Sequence, residues 1–174
     1  MHTIMKRAAD FTGLLAQVML WVAGFALVAM TAVIAAQVFF RYVLNSGFVG
    51  SEPISIMIMT WFIYLGAAVG IREGNHLSFD VLLLVLPDKV KPPLHTLSDI
   101  AVTAFGFGMI WFGFVLARQT AQNTLPSLGI SGAFEYVPLI VGGVLAMLFS
   151  IERILRRFAG LHTARFGEAA PQEE

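Results

Sequence analysis

The sequence contains no cysteine and few charged residues. The missing cysteines exclude disulfides, thiolate metal sites and cysteine nucleophiles from these 174 residues. Charged residues make up 13% of the chain, whereas a soluble domain carries roughly 25%. So small a share leaves too little polar surface to coat a globule in water. The net charge is zero, so no overall field favours nucleic acid or an acidic partner.

Hydrophobic residues are abundant instead, and the mean hydropathy is +0.79. They concentrate in four runs without charge: Phe11–Phe40, Pro53–Ile71, Ile100–Ala117 and Tyr136–Ile151. A helix needs about 20 apolar residues to cross a bilayer, and a lone strand in lipid would leave its backbone groups unpaired. We therefore predict an all-α integral membrane protein, a bundle of four transmembrane helices over about 14–40, 52–71, 97–117 and 133–151.

These spans predict a single transmembrane domain over residues 1–165. The first run is too long for a signal peptide, whose apolar region is about 7–15 residues, so we expect it to be retained as a helix. The remaining residues, 166–174, are rich in glutamate and small residues. A segment of this composition buries little apolar surface, and we predict that it is disordered.

The basic residues predict the orientation of the spans. Nine of the eleven lysines and arginines fall in the two tails and in the connection between spans two and three: Lys6, Arg7, Arg72, Lys89, Lys91, Arg153, Arg156, Arg157 and Arg165. Only Arg41 and Arg118 fall in the other two connections. Because basic residues accumulate on the cytoplasmic side, we predict that both termini are cytoplasmic.

The connection between spans two and three contains a further, shorter apolar segment, Leu77–Leu86. It is too short to span, and we predict a short helix at the membrane interface or packed under the bundle. Pro92 and Pro93 then introduce the third helix. We expect its first turns, with His95 and Asp99, to contact water.

The charged residues lie at span boundaries rather than in the middle of a run. An ionised residue at a helix centre costs about 2.5–3.5 kcal/mol, which a carrier accepts where it binds ions or substrate. The histidines, at positions 2, 76, 95 and 162, are not placed for bis-histidine haem ligation. No arrangement suggests a catalytic triad or a phosphate loop. We predict no enzyme activity, no catalytic or substrate-binding residues, and no cofactor or metal.

Two acidic residues, Glu52 and Glu135, open helices in the connections that carry few basic residues. The helix dipole favours an anion at this position, so capping is one interpretation. The alternative is an ion pair between Glu52 and Arg41, or a contact with a partner subunit.

Small residues four positions apart occur in two spans, as Gly66 and Gly70 in span two and as Gly142 and Ala146 in span four. Such spacing lets two helix backbones approach closely in lipid. The contact lies either within this chain's own bundle, the interpretation we favour, or with another subunit. Span three is bulky and can form a hydrophobic surface for lipid or protein, with Phe105, Phe107, Trp111, Phe112 and Phe114.

Three segments share their order and sequence with a known family: FFRYVLN, SEPISIMIMTWFIYLGAAVGIREGNHLSFDVL and LPDKV. From about Val38 to Phe149, the chain resembles the small membrane subunit of the tripartite ATP-independent periplasmic (TRAP) transporters, the DctQ-type family. The matching charged or polar positions are Arg41, Glu52, Arg72, His76 and Asp80. The chain departs from the family where Phe48 and Val49 replace a frequent tryptophan and where Pro53 follows Glu52. Proline is tolerated in a first helical turn, so the fold is not in doubt.

The resemblance implies a function. Such subunits pair with a large multi-span permease in the bacterial inner membrane, and a periplasmic solute-binding protein delivers the substrate. Uptake is driven by sodium, substrates are usually organic acids, and both sites lie in the large subunit. The small subunit is a static scaffold, which agrees with the boundary-only charges. The alternatives are a stand-alone four-helix carrier and a membrane anchor subunit of a redox complex.

Overall fold

A computed structural model describes residues 2–47, 50–73 and 91–158, with side chains for 11–47, 50–73 and 94–158. The described part is helical: α1 (His2–Val43), α2 (Ser51–Glu73), α3 (Lys91–Thr120), a 3₁₀ turn (Gly132–Tyr136) and α4 (Val137–Phe158). It includes four helices that are long and apolar enough to cross a membrane, and no strand lies within these residues. The predicted all-helical fold with four apolar helices is therefore confirmed.

Several predicted features lie outside the described residues. They are the short helix over Leu77–Leu86, the positions His76 and Asp80, and the tail 166–174. They remain predictions from the sequence.

The first helix is longer than a bilayer requires. Its 42 residues extend for about 63 Å at the usual rise per residue, whereas the hydrocarbon core is about 30 Å thick. Its apolar part alone, Phe11–Val43, has 33 residues. A helix of this length tilts in the membrane or projects beyond it.

The four helices pack as a row. Within the described residues, extensive contacts join α1 to α2, α2 to α4 and α4 to α3. Helix α4 is the most enclosed, with 39% of its apolar window buried against 11% for α1 and for α3. The two outer helices of the row are therefore α1 and α3, and each exposes most of its apolar surface.

Successive helices run in opposite directions, which gives the molecule two distinct ends. We call the end where α1 and α3 begin and α2 and α4 end the terminal end. The opposite one is the loop end. There, α3 connects to α4 through a tight turn in which the backbone N–H of Leu125 donates to the carbonyl of Ile130 (2.9 Å) and that of Gly132 donates to Asn123 (2.7 Å). Gly129, at φ 66°, supplies the left-handed conformation that this turn needs.

Glycines lie where α4 approaches its neighbours most closely. A Cβ atom added to Gly142 would lie 2.6 Å from Cβ of Tyr64 in α2. On the other side of α4, a Cβ on Gly143 would lie 2.9 Å from the carbonyl oxygen of Gly106 in α3. A Cβ on Gly106 would likewise lie 2.9 Å from the carbonyl oxygen of Gly143. Without a hydrophobic driving force between helices in lipid, such backbone proximity supplies the van der Waals contact that holds them together.

The two glycines of the span-two motif lie elsewhere. Among the described residues, a Cβ added to Gly66 or to Gly70 would meet no atom within 4 Å. Both glycines are half-buried, and neither makes a close approach of the kind that joins Gly142 to Tyr64. The structure therefore does not support our interpretation that Gly66 and Gly70 pack inside this chain. Contact with another subunit remains the alternative for this pair.

A matched pair of substitutions tests the glycine contacts. Gly142→Ala and Gly66→Ala each replace a helical glycine by alanine, so both gain the same helix propensity. We expect Gly142→Ala to be less stable than Gly66→Ala by about 1–3 kcal/mol, because only the first forces a methyl group into a filled space. Unfolding of the purified chain in mixed micelles measures the difference. Equal stability of the two variants would contradict the packing described here.

Candidate functional site

Charged side chains from three helices meet at the terminal end. We call this group the charged cluster, and its members are Arg72, Glu73, Asp99, Glu152, Arg153, Arg156 and Arg157. Arg72 and Glu73 end α2, Asp99 lies two turns into α3, and the other four occupy the last turns of α4. Because successive helices run in opposite directions, the ends of α2 and α4 and the start of α3 lie side by side at the terminal end.

Asp99 is the centre of the charged cluster. Its side chain is 1% exposed, and Oδ2 lies 2.7 Å from Nη2 of Arg157. Oδ1 lies 3.6 Å from Nε of Arg153. Our expectation that Asp99 contacts water is therefore wrong. The carboxylate faces α4, and two arginines of that helix cover it.

Hydroxyl groups extend this contact between α3 and α4. Ser150 is fully buried, and its Oγ donates to the carbonyl of Asp99 (2.6 Å). Thr103 lies within hydrogen-bond distance of both groups, at 2.8 Å from the Asp99 carbonyl and 3.1 Å from Ser150 Oγ. Nη1 of Arg157 donates to Oγ1 of Thr96 (3.0 Å). The two helices are thus joined by polar contacts over two turns of α3.

The same arginines connect α4 to α2. Nη1 of Arg153 donates to the carbonyl of Ile71 (2.6 Å), which belongs to the last turn of α2, where carbonyls lack a partner within the helix. Nε of Arg72 lies 3.7 Å from Oε2 of Glu152. Oε1 of Glu152 pairs with Arg156 one turn later, at 2.8 Å. Arg153 therefore contacts α2 and α3 at the same time.

The charged cluster also reaches the first helix. A Cβ atom on Gly13 of α1 would lie 3.3 Å from Nη2 of Arg72. The guanidinium group therefore lies directly against the α1 backbone at a position without a side chain. All four helices meet the charged cluster, which holds four arginines against three carboxylates.

Such a cluster holds helices in one register more than it adds net stability. Removing charges from water is expensive, and the attraction between buried partners offsets this only when each has its partner in place. A shift of α3 or α4 by one residue would separate Asp99 from both arginines. We infer that the charged cluster fixes the register of the helices that meet at the terminal end.

Two of the other predicted positions, Arg41 and Glu52, are at the loop end, apart from the charged cluster. Arg41 and Glu52 are both exposed, and within the described part of the chain no ion pair joins them. Arg41 instead lines a cavity of about 320 Å³ at the end of α1. Of the family-motif positions, the structure thus brings only Arg72 into the charged cluster, while His76 and Asp80 lie outside the described residues.

Our reading of the sequence did not single out Asp99, Ser150, Arg153 and Arg157 as a site. A signal was available, because Arg153 and Arg157 are one turn apart on one face of α4. Asp99 lies at a matching depth in a helix that runs the opposite way. An acidic and a basic residue at equal depth in two apolar spans predict a pair.

The outer helices of the row expose aromatic side chains. On α3, Phe107 and Trp111 stack with their ring centroids 6.5 Å apart, and Phe105, Phe112 and Phe114 are also exposed. On α1, Trp21 and Phe25 are exposed as well. These faces need lipid or another membrane protein to cover them.

Neutralising Asp99 tests the charged cluster. Asp99→Asn keeps the size of the side chain and removes its charge, leaving Arg153 and Arg157 without their shared partner. We expect the free energy of unfolding to fall by about 3–5 kcal/mol, the usual effect of removing one member of a buried pair. Glu52→Gln, a matched change at an exposed carboxylate, should alter stability by less than about 0.5 kcal/mol. Similar stabilities of the two variants, measured by thermal unfolding in detergent, would show that the pairing is unimportant.

Comparison with known proteins adds evidence on the family. Residues 30–160 match the family described as "Tripartite ATP-independent periplasmic transporters, DctQ component". The sialic acid TRAP transporter small permease protein SiaQ of Vibrio cholerae is 29% identical over 126 residues, which cover 72% of this chain and 73% of that protein. The C4-dicarboxylate TRAP transporter small permease protein DctQ of Rhodobacter capsulatus is 28% identical over 131 residues, 74% of this chain and 57% of that protein.

A third relative is a much longer protein. The sialic acid TRAP transporter permease protein SiaT of Haemophilus influenzae is 26% identical over 133 residues, which cover 76% of this chain but only 21% of SiaT. The matched family covers three quarters of the present chain, including parts of all four apolar helices. This chain is therefore a member of the DctQ family, the small permease component of the TRAP transporters.

Proposed function

We propose that this protein is the non-transporting scaffold subunit of a sodium-driven TRAP importer of organic acids. The observation that carries the proposal is the pairing of its buried charges. Arg72, Asp99 and Arg153 are the buried ionised residues among the described side chains, and each lies within ion-pair distance of a partner in the chain. A carrier needs a charged or polar group that is free to exchange its partner for substrate or ion, whereas these charged groups already face partners within the chain.

The transport path then belongs to a large permease subunit. SiaT supports this assignment, because the region similar to the present chain is about a fifth of that permease. The rest of SiaT then corresponds to the large permease that we propose as the partner. The exposed aromatic side chains of α3 and the open face of α2 around Gly66 and Gly70 offer surfaces for it.

Two relatives support an organic acid as the substrate. Their names refer to sialic acid and to C4-dicarboxylates, and both substrates carry carboxylates. A periplasmic solute-binding protein would deliver the substrate to the large subunit. The small subunit would contribute no substrate or sodium ligand and would widen and steady the static part of the assembly.

The proposed location is the bacterial inner membrane with both termini in the cytoplasm. The charged cluster lies at the terminal end, so the proposal puts it at the cytoplasmic surface. Its excess of arginine over carboxylate follows the preference for positive charge on that side. The segment Leu77–Leu86 would then lie along the cytoplasmic interface.

Purification from the native membrane tests the proposal. We expect the tagged chain, extracted in a mild detergent, to bring down a large multi-span permease in a fixed ratio, because α1 and α3 leave extensive apolar surface uncovered. Mass spectrometry and size-exclusion chromatography identify the partner and the ratio. Recovery of the chain without a large membrane partner would contradict the proposal.

Within this experiment, Gly66→Leu and Gly70→Leu test the open face of α2. A bulky side chain there would separate a partner helix that approaches at the glycines, so we expect the yield of the complex to fall several-fold. Gly24→Leu is the matched control, because Gly24 is also helical and also has open space around it. An unchanged yield for both α2 variants would remove this face from the interface.

A further inference from the structure

A polar notch interrupts the apolar surface at the loop end of α1. We define it by the residues lining the cavity of about 320 Å³: Gln37, Arg41, Asn45, Ser46 and Gly47. Gln37, Arg41 and Asn45 are four positions apart, so the first two lie one turn apart on the same face of α1. The side chain of Gln37 lies a full turn inside the apolar segment Phe11–Val43. A polar face at this depth needs a polar partner.

The chemistry of the polar notch favours an anion. Among the described residues that line the cavity, Arg41 is the ionised one and none is a carboxylate. The side chains of Gln37, Asn45 and Ser46 add amide and hydroxyl donors around it. A guanidinium group surrounded by neutral donors matches the several acceptor oxygens of a phosphate group.

The surroundings of the polar notch are apolar and exposed. Val38 and Tyr42 flank it on one side of the helix, and Phe40 and Leu44 flank it on the other; all four are exposed. Arg41 belongs to the last turn of α1, at the boundary between the apolar span and water. Helix α1 is also an outer helix of the row, with extensive contacts only to α2 in the described part of the chain. A ligand here meets a phosphate site and an acyl-chain surface together.

We propose that the polar notch binds the phosphate group of a membrane phospholipid. The guanidinium group of Arg41 pairs with the phosphate, and Gln37 and Asn45 donate hydrogen bonds to its other oxygens. The acyl chains lie along the flanking apolar side chains. The inference does not depend on the proposed transport function, since it concerns only α1 and the lipid around it.

Native mass spectrometry of the full chain released from lipid nanodiscs tests this site. The nanodiscs contain phosphatidylglycerol, and wild type is compared with Arg41→Gln, Arg41→Lys and Arg118→Gln. Arg118 is the control, because it is an exposed arginine in the last turn of α3 at the same end, where it lies over the Phe114 ring at 5.8 Å. Thermal unfolding of each variant establishes that it is folded.

We expect wild type and Arg118→Gln to retain one phospholipid. In Arg41→Gln the occupancy of this lipid should be about tenfold lower, the factor that corresponds to one charge-assisted hydrogen bond. Arg41→Lys should retain an intermediate amount, because lysine keeps the charge and loses the fork of donors. Diacylglycerol, which lacks the phosphate, should not be retained, and millimolar inorganic phosphate should not displace the lipid.

Four results would overturn the proposal. The first is equal retention of phospholipid by wild type and Arg41→Gln, and the second is an equal loss in Arg41→Gln and Arg118→Gln. The third is retention of diacylglycerol at the level of phosphatidylglycerol. Displacement by inorganic phosphate would assign the polar notch to a soluble anion instead of a lipid and would equally contradict the proposal.

Discussion

The arrangement of the helices depends on a buried carboxylate held between two arginines. Asp99 is enclosed by Arg153 and Arg157, and Arg153 also donates to the end of α2. In a medium of low dielectric constant, each of these charges is tolerable only while its partners stay in place. Asp99 of α3 therefore sets the position of the end of α4 directly, and that of α2 through Arg153.

Two different interactions hold the row together along its length. Ion pairs and hydroxyl groups join the helices at the terminal end, whereas glycine contacts join them further along. Gly106 meets Gly143, and a Cβ on Gly113 would lie 2.8 Å from Ile140. Lipid supplies no hydrophobic driving force between helices, so both kinds of contact are needed. The result is a row with a closely packed middle and two apolar outer helices, a form suited to a static part of a larger membrane assembly.

The sequence predicts the helices well because their signal is local. Three charge-free runs are long enough to cross the bilayer, and the fourth reaches that length when its span begins at residue 133. Lipid requires a helix in each of them. The same runs predict that these segments are transmembrane helices, but they do not predict which face of each helix packs against which neighbouring helix. Asp99 is an example, because its position near a helix start suggested contact with water, whereas its burial depends on the arginines of α4.

The small-residue motifs show the same limit. Gly66 with Gly70 and Gly142 with Ala146 have identical spacing. Among the described residues, Gly142 approaches Tyr64 closely and Ala146 is buried, whereas a Cβ on Gly66 or Gly70 would meet no atom within 4 Å. Spacing along a helix says that a close approach is sterically allowed. Which approach forms depends on the rotation of each helix, and the charged cluster contributes to that rotation from the terminal end.

Uptake by reconstituted liposomes tests most directly whether this chain is a scaffold without a transport site. Sialic acid and a C4-dicarboxylate serve as labelled solutes under an inward sodium gradient, with the chain alone or together with the large permease and the binding protein of its own system. We predict no accumulation by the chain alone, whichever solute is used, and we expect any uptake to require the large permease. Sodium-dependent accumulation by the chain alone would contradict this prediction.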